Sequence, residues 1–327
     1  MSNMVRAALM SSALLAVACS PATAAPKVVA SIVPIHSLIA GVMQGVAEPT
    51  LLVPVGASPH TYALRPSDAR TLQAAEIIFW VGEHLENFLE KPLETLAAKA
   101  KVIEVSSIPG MTLWPTREGG VFEPEEEAHA DEKKDGKEEE HHTEEHAEAG
   151  HAHGDTDAHV WLDPDNARLI VAAAVANLSA TDPANAAKYA DNGRAMDARL
   201  AALDAGIKKR LTPVQDRAYI VFHDAYQYFE RHFGTRIAGS ITVSPDQAPG
   251  ARRLSELHEK IRTASAVCVF REPQFPAPVV DTLLRGTGAK AGVLDPEGAD
   301  LNPGPGAYFT LVERIADSLV GCLKPNS

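Results

Sequence analysis

The chain holds thirteen histidines, and their placement divides them into three kinds. Six fall in one highly charged stretch: His129, His141, His142, His146, His151 and His153. Four, His36, His84, His232 and His258, stand apart on predicted helices or connections and are read as surface or packing residues, since nothing near them in sequence forms a ligand set. The last three sit differently. His60 follows the apolar run 50–54 through Gly56-Ala57-Ser58-Pro59, His159 directly precedes Val160-Trp161-Leu162, and His223 follows the run 218–222 just before Asp224. Neutral imidazole is a common ligand for borderline divalent cations. Three of them suit Zn2+, with bonds of about 2.0–2.1 Å. Each of the three alone reads as a structural histidine; together they form a candidate metal site.

Such a site needs elements that bring distant residues together. Strands are predicted at 27–32, 50–54, 76–81 and 101–105, with helices between them, for example 67–75 opened by Pro66 and Ser67. Short apolar β-branched runs separated by helices predict a parallel sheet covered on both faces. Asp163-Pro164 reads as an N-cap with Pro at the first helical position, opening a helix to about residue 178. A second pair, Asp182-Pro183, opens a longer one. There Tyr189, Met196, Leu200, Leu203, Ile207 and Leu211 recur at spacings of three, four or seven and form one apolar face. A helix over 183–211 would be about 43 Å long, enough to run the length of a molecule.

The alternation then resumes, with strands at 218–222, 236–242, 266–270 and 289–294 and helices from Asp224, Gly250 and Pro276. The predicted fold is therefore α/β: two similar lobes with parallel sheets, 25–182 and 212–327, joined by a long rigid helix, 183–211. Sites in open α/β sheets form at the carboxyl ends of strands. His60 and His159 belong to the first half and His223 to the second, so the three could close a site in the cleft between lobes.

The N-terminus carries Arg6, the apolar run 7–18 and the small-x-small sequence Ala22-Thr23-Ala24, which reads as a signal peptide over 1–24. Cys19 offers lipidation as an alternative to removal with the signal, although the Leu expected three residues before it is missing. No other segment approaches the roughly 20 apolar residues that span a bilayer. Export places Cys268 and Cys322 in an oxidising compartment. A bridge between them would close a loop of about 55 residues and contribute about 4 kcal/mol on the chain-entropy estimate; two buried free thiols are the alternative. The net charge of −13 is concentrated in 117–157, which holds sixteen acidic and four basic residues. That stretch cannot bury enough apolar surface to offset its ordering entropy and is predicted to be a disordered loop. Its six histidines among carboxylates make it a candidate secondary, weak metal-binding region, or else a solvated linker. No part of the chain offers the basic surface that nucleic acid or anionic lipid requires.

Several motifs in order carry a family resemblance. Gly56-Ala57-Ser58-Pro59-His60-Thr61-Tyr62, then Arg65-Pro66-Ser67-Asp68, resembles the signature of the metal-binding solute receptors of ABC transporters. Asp157-Ala158-His159-Val160-Trp161-Leu162-Asp163-Pro164 resembles their second ligand region. Phe222-His223-Asp224-Ala225-Tyr226 and Glu272-Pro273-Gln274-Phe275 resemble the zinc-specific, ZnuA-like branch. The resemblance covers about 28–323, interrupted only by the charged segment. It implies two α/β lobes joined by a rigid helix, a metal in the cleft, and His60, His159 and His223 as ligands, with Asp295 of Leu294-Asp295-Pro296 placed to complete the shell. The other reading of Asp295 is an Asp-Pro turn whose carboxylate caps backbone N–H groups. Pro59 stands where some zinc receptors carry a carboxylate, which leaves the fourth position to Asp295, water or nothing. The manganese branch resembles this one but has Glu at the position of His223, so zinc is the expected cargo.

The function this resemblance implies is that of a monomeric periplasmic receptor that captures Zn2+ and hands it to a membrane permease, with no small-molecule substrate and no catalysis. A zinc hydrolase would need a general base over bound water. The chain has no His-Glu-x-x-His motif and no Glu within four residues of His60, His159 or His223. A free-standing zinc buffer would have no use for a closing cleft, and no sequence feature supports an adhesin. Metal binding is expected to weaken below about pH 6 as imidazoles protonate, and a helical linker is expected to permit only small lobe motions.

Overall fold

The computed structural model describes residues 24–117, 156–242, 249–263, 266–275 and 278–324. The predicted signal peptide up to residue 23, Cys19 within it, and the six histidines of the charged segment lie outside the described residues. The first lobe runs β1 (Val28–Ala30), α1 (Val33–Met43), β2 (Thr50–Leu51), α2 (Pro66–Ala74), β3 (Ile77–Trp80), α3 (Glu90–Leu96) and β4 (Lys101–Glu104). Its four strands are parallel, in the order β2-β1-β3-β4. Every residue of β1 and β3 is buried, as expected of strands covered on both faces.

Two long helices follow, α4 (Pro164–Thr181) and α5 (Ala186–Leu211). Asp163 caps α4 by accepting a hydrogen bond from the Asp165 amide, and Pro164 fills the first turn, where no N–H is needed. A single 3-10 turn, Pro183–Asn185, precedes α5, so the regular helix is 26 residues, about 39 Å. Its buried face contains the six apolar residues of the sequence pattern and also Gly193. A Cβ at Gly193 would collide with Val175 on α4, and one at Gly41 of α1 would collide with Met196 on α5. Both glycines are what let these helices approach closely.

The second lobe repeats the first: β5 (Ala218–His223), α6 (Gln227–Phe233), β6 (Arg236–Thr242), α7 (Ala251–Thr263), β7 (Cys268–Arg271), α8 (Pro278–Leu284), β8 (Lys290–Val293) and α9 (Ala307–Leu323). Its parallel order, β6-β5-β7-β8, has the same connectivity as the first sheet. In each lobe the chain reverses its direction of travel across the sheet between the first and third strands. Those switch points, β1/β3 and β5/β7, are where crevices open at strand carboxyl ends.

One apolar core runs through both lobes, including Ile35 and Leu38 of α1, Trp161, Ile170 of α4, Leu200 of α5, Tyr219 of β5 and Ile315 of α9. Smaller clusters cover the outer faces, around Leu72 and Ile78 in one lobe and around Ile220 and Leu257 in the other. Buried hydrogen bonds cross between lobes as well. Trp161 Nε1 donates to the Pro296 carbonyl (2.8 Å), Tyr308 Oη donates to the Trp161 carbonyl (2.9 Å), and the Tyr308 amide donates to Ser37 Oγ (2.9 Å). A disulfide between Cys268 and Cys322 ties β7 to the end of α9.

The structure departs from the sequence reading in two places that bear on the site. Asp224 does not cap a helix: α6 begins at Gln227, and the Asp224 carboxylate is held by Arg117 instead. Arg117, Thr156 and Asp157 fall inside the segment predicted to be disordered, yet all three are placed. Pro115 and Thr156 form an antiparallel bridge, and the Asp157 amide donates to the Trp114 carbonyl (2.9 Å). Buried partners for Arg117 and Asp157, invisible in a local composition, supply the ordering energy. Among the described residues no helix is long and apolar enough to cross a membrane.

Candidate metal centre

His60 lies in the loop after β2. Gly56 turns that loop at φ +84°, a left-handed conformation that a side chain resists, and the Ala57 amide donates to the Pro54 carbonyl (3.1 Å). Asp68 fixes the far end, accepting from Tyr62 Oη (2.7 Å) and from the Arg65 amide (2.8 Å) at the start of α2. His159 sits in a tight turn in which Asp157 Oδ1 accepts from both the His159 amide (3.0 Å) and its Nδ1 (2.8 Å). His223 ends β5 at the β5/β7 switch point. Glu272, the first residue past β7, accepts from His223 Nδ1 at 2.7 and 2.8 Å.

These placements bring His60, His159 and His223 together: a potential ligand atom from each lies within 4.8 Å of the others. Their ring centroids are 5.1–5.5 Å apart. Carboxylates can only accept, so Nδ1 of His159 and of His223 each carries the proton and each Nε2 presents a lone pair. The two Nε2 atoms are 3.2 Å apart. Two lone pairs at that distance repel unless a proton or cation lies between them. In a tetrahedral zinc site with bonds of about 2.0–2.1 Å, adjacent ligand atoms are about 3.3 Å apart. His60 Nε2 is buried and has no hydrogen-bond partner among the described residues. Trp161 packs on His159 and Phe275 meets the edge of His223, giving the site apolar walls.

The electrostatics separate His60 from His223. Burial, then the two neighbouring imidazoles, hold the His60 pKa well below its ordinary value, so that ring is neutral. For His223 burial also opposes the charge, but the Glu272 carboxylate, with smaller help from Asp224 and Asp157, outweighs it and raises the pKa. Burial pushes Asp157 up, while hydrogen bonds from His159 and Gln227 more than offset that and leave its pKa lowered.

Asp295 is placed differently from the histidines. Its carboxylate accepts from the amides of Glu297 (3.0 Å), Gly298 (2.9 Å) and Ala299 (2.6 Å) and from Gln274 Nε2 (3.0 Å), organising the turn 295–299. It is not in the group that converges with the three rings. Of the four histidines read as surface or packing residues, His36 is buried with Nε2 on the Pro49 carbonyl, His84 is exposed, and His258 contacts the Arg285 carbonyl. His232 proves to have charged partners. Nδ1 lies 2.8 Å from Asp163 Oδ1 and Nε2 lies 2.7 Å from Asp204 Oδ1. Burial lowers its pKa, but these two hydrogen bonds outweigh burial and the net shift is upward. With Asp165 it forms a second group of potential ligand atoms. Both ring nitrogens are already hydrogen-bonded to carboxylates, so the group is a histidine–carboxylate cluster satisfied by its own members.

The two carboxylates behind the rings, Asp157 and Glu272, had no role in the sequence reading. Asp157 left a signal, an Asp-x-His spacing inside the quoted motif. Glu272 left one as the first residue of the quoted Glu272-Pro273-Gln274-Phe275 motif, but its pairing with His223 follows only from topology, since β5 and β7 are neighbours in space but not in sequence.

The chain matches the family described as ZnuA, zinc-uptake complex component A, periplasmic, over residues 28–322. The high-affinity zinc uptake system protein ZnuA of Brucella suis biovar 1 (strain 1330) is 44% identical over 335 residues, covering 96% of this chain and 97% of that protein. A crystal structure of a zinc-bound ZnuA deletion mutant superposes with a TM-score of 0.72 at 22% identity, covering 93% of this chain and all of that one. The periplasmic zinc-binding protein TroA from Treponema pallidum superposes with a TM-score of 0.74 at 23% identity, covering 92% of this chain and all of that one. At those identities the two structures establish the shared two-lobed fold.

Proposed function

Because the chain belongs to the ZnuA family of periplasmic zinc-uptake components, we propose that it is the extracytoplasmic zinc receptor of an ABC-type uptake system. It captures Zn2+ between its lobes and delivers it to a membrane permease, as a receptor and not as an enzyme. His60, His159 and His223 are the ligands. The observation that carries this is the pair of Nε2 atoms 3.2 Å apart, one from each side of the cleft, each with its Nδ1 hydrogen-bonded to a buried carboxylate. A carboxylate–imidazole–metal arrangement fixes the tautomer and raises ligand basicity. Three imidazoles favour zinc over manganese, which prefers more oxygen. Because Asp295 holds three backbone amides, the remaining coordination position goes to water.

Residues 1–24 are removed as a signal peptide, the mature chain works as a monomer, and 25–182 and 212–327 act as the two lobes about the linker 183–211. The charged segment, with His129, His141, His142, His146, His151 and His153, is an accessory that binds metal weakly and raises local cation concentration through its negative field.

Calorimetric zinc titration of the metal-stripped mature protein tests this, alongside a variant lacking 118–155 and the variant His223→Ala. One tight site that survives the deletion and is lost in His223→Ala is the expected result. A tight site that disappears with the charged segment would reassign the chain as a zinc buffer.

A further inference from the structure

The stem of the charged segment does more than leave the first lobe. Residues 114–115 pair with 156–157 through the Pro115–Thr156 bridge and the Asp157 amide on the Trp114 carbonyl. The same stem lies against α6 of the second lobe. Tyr228 Oη donates to the Asp157 carbonyl (2.8 Å) and accepts from the Trp114 amide (3.1 Å), and Gln227 Nε2 donates to the Pro115 carbonyl (3.0 Å) and to Asp157 Oδ2 (3.2 Å). At its end Arg117 reaches across. Its Nη2 and Nε donate to Asp224 (2.6 and 3.0 Å), and its Nη1 donates to Glu230 Oε2 (2.6 Å). The Asp224 side chain is 4% exposed, that of Arg117 17% and that of Glu230 16%. Glu230 uses its other oxygen to accept from the Ile237 amide (2.6 Å) in β6.

The positions matter more than the count of bonds. Asp224 is the residue after His223, and Asp157 is the residue that orients His159. A fork-shaped guanidinium that grips Asp224 from a segment hydrogen-bonded to Asp157 therefore connects the backbones behind the two rings. We propose that Arg117 is a positioning residue for metal retention: it clamps the His223 side of the cleft to the His159 side and thereby sets how slowly a bound zinc ion leaves. This rests on the zinc-receptor reading above. Removing one member of a buried charge cluster leaves its partners uncompensated and acts mainly on dissociation. Lysine keeps the charge but not the bidentate fork.

The test is zinc release from the full mature protein into excess chelator, followed by stopped flow, for the wild type, Arg117→Ala, Arg117→Lys and His223→Ala, with circular dichroism on each. Release from Arg117→Ala should be at least about tenfold faster than from the wild type, with Arg117→Lys between them. If Arg117→Ala does not fold, the neutralised triple variant Arg117→Ala/Asp224→Asn/Glu230→Gln removes the buried charges along with the clamp and should also release zinc faster. A folded Arg117→Ala or triple variant that releases zinc at the wild-type rate, even with a lower melting temperature, would overturn the proposal and leave Arg117 a purely structural residue. The His223→Ala arm separates the two levels: if it retains zinc as well as the wild type, the metal-site reading itself has failed.

Discussion

Glu272 does two opposed things to His223. It fixes the ring with Nε2 facing His159, which favours the metal, and it raises the ring's pKa, which favours a competing proton. Zinc requires the neutral ring, so affinity should begin to fall as the pH drops through the raised His223 pKa, above the ordinary 6.5 and earlier than the pH 6 suggested by imidazole alone. Glu272→Gln should lower zinc affinity at pH 7.5 by about 10–100-fold and move that pH dependence downward; calorimetry across pH 5–8 reads both. An unchanged profile would show that another group governs proton competition. His232 makes the opposite kind of pH statement. Its pKa is raised by Asp163 and Asp204, so the stability it contributes is complete below about 6.5 and is lost as pH rises through the raised value. The melting-temperature gap between wild type and His232→Gln should be wider at pH 6 than at pH 9.

Elements were legible in the sequence to the extent that their signals were local. The Asp163-Pro164 pair marked the start of α4 correctly, and the spacing from Tyr189 to Leu211 identified the buried face of α5. What was not legible depended on pairs distant in the chain. Asp224 looked like a helix cap because its true partner, Arg117, comes from the other lobe. Arg117 and Asp157 looked like the ends of a disordered segment for the same reason. The three histidines could be singled out by position, whereas Glu272 stood in a quoted motif but its role behind His223 required knowing that β5 and β7 lie side by side. Gly193 was also silent, a break in an apolar pattern that is in fact the contact point of α4 and α5. Gly193→Val should force those helices apart at a cost of about 1–3 kcal/mol, measured by urea unfolding, with zinc affinity less affected than stability.

At the scale of the molecule, α5 is not a free strut between two lobes. It packs on α1, α4 and α9, and the core that contains it takes residues from both sheets. Wide hinge closure would have to open that core, so zinc binding should move the lobes little. Small-angle scattering of the metal-free and zinc-loaded protein should give radii of gyration equal within error; a clear contraction would mean a hinge exists that the packing does not suggest. The shared core has a further consequence. The protein is two lobes in its topology, but it should be one unit in its thermodynamics. Either half, expressed alone, would expose the face it contributes to the shared core, where α1 and α4 of one half meet α9 of the other around α5. Heating should then give a single transition, with the calorimetric enthalpy equal to the van't Hoff enthalpy. Zinc bound at the cleft should shift that whole transition upward by mass action, instead of protecting one lobe while the other melts.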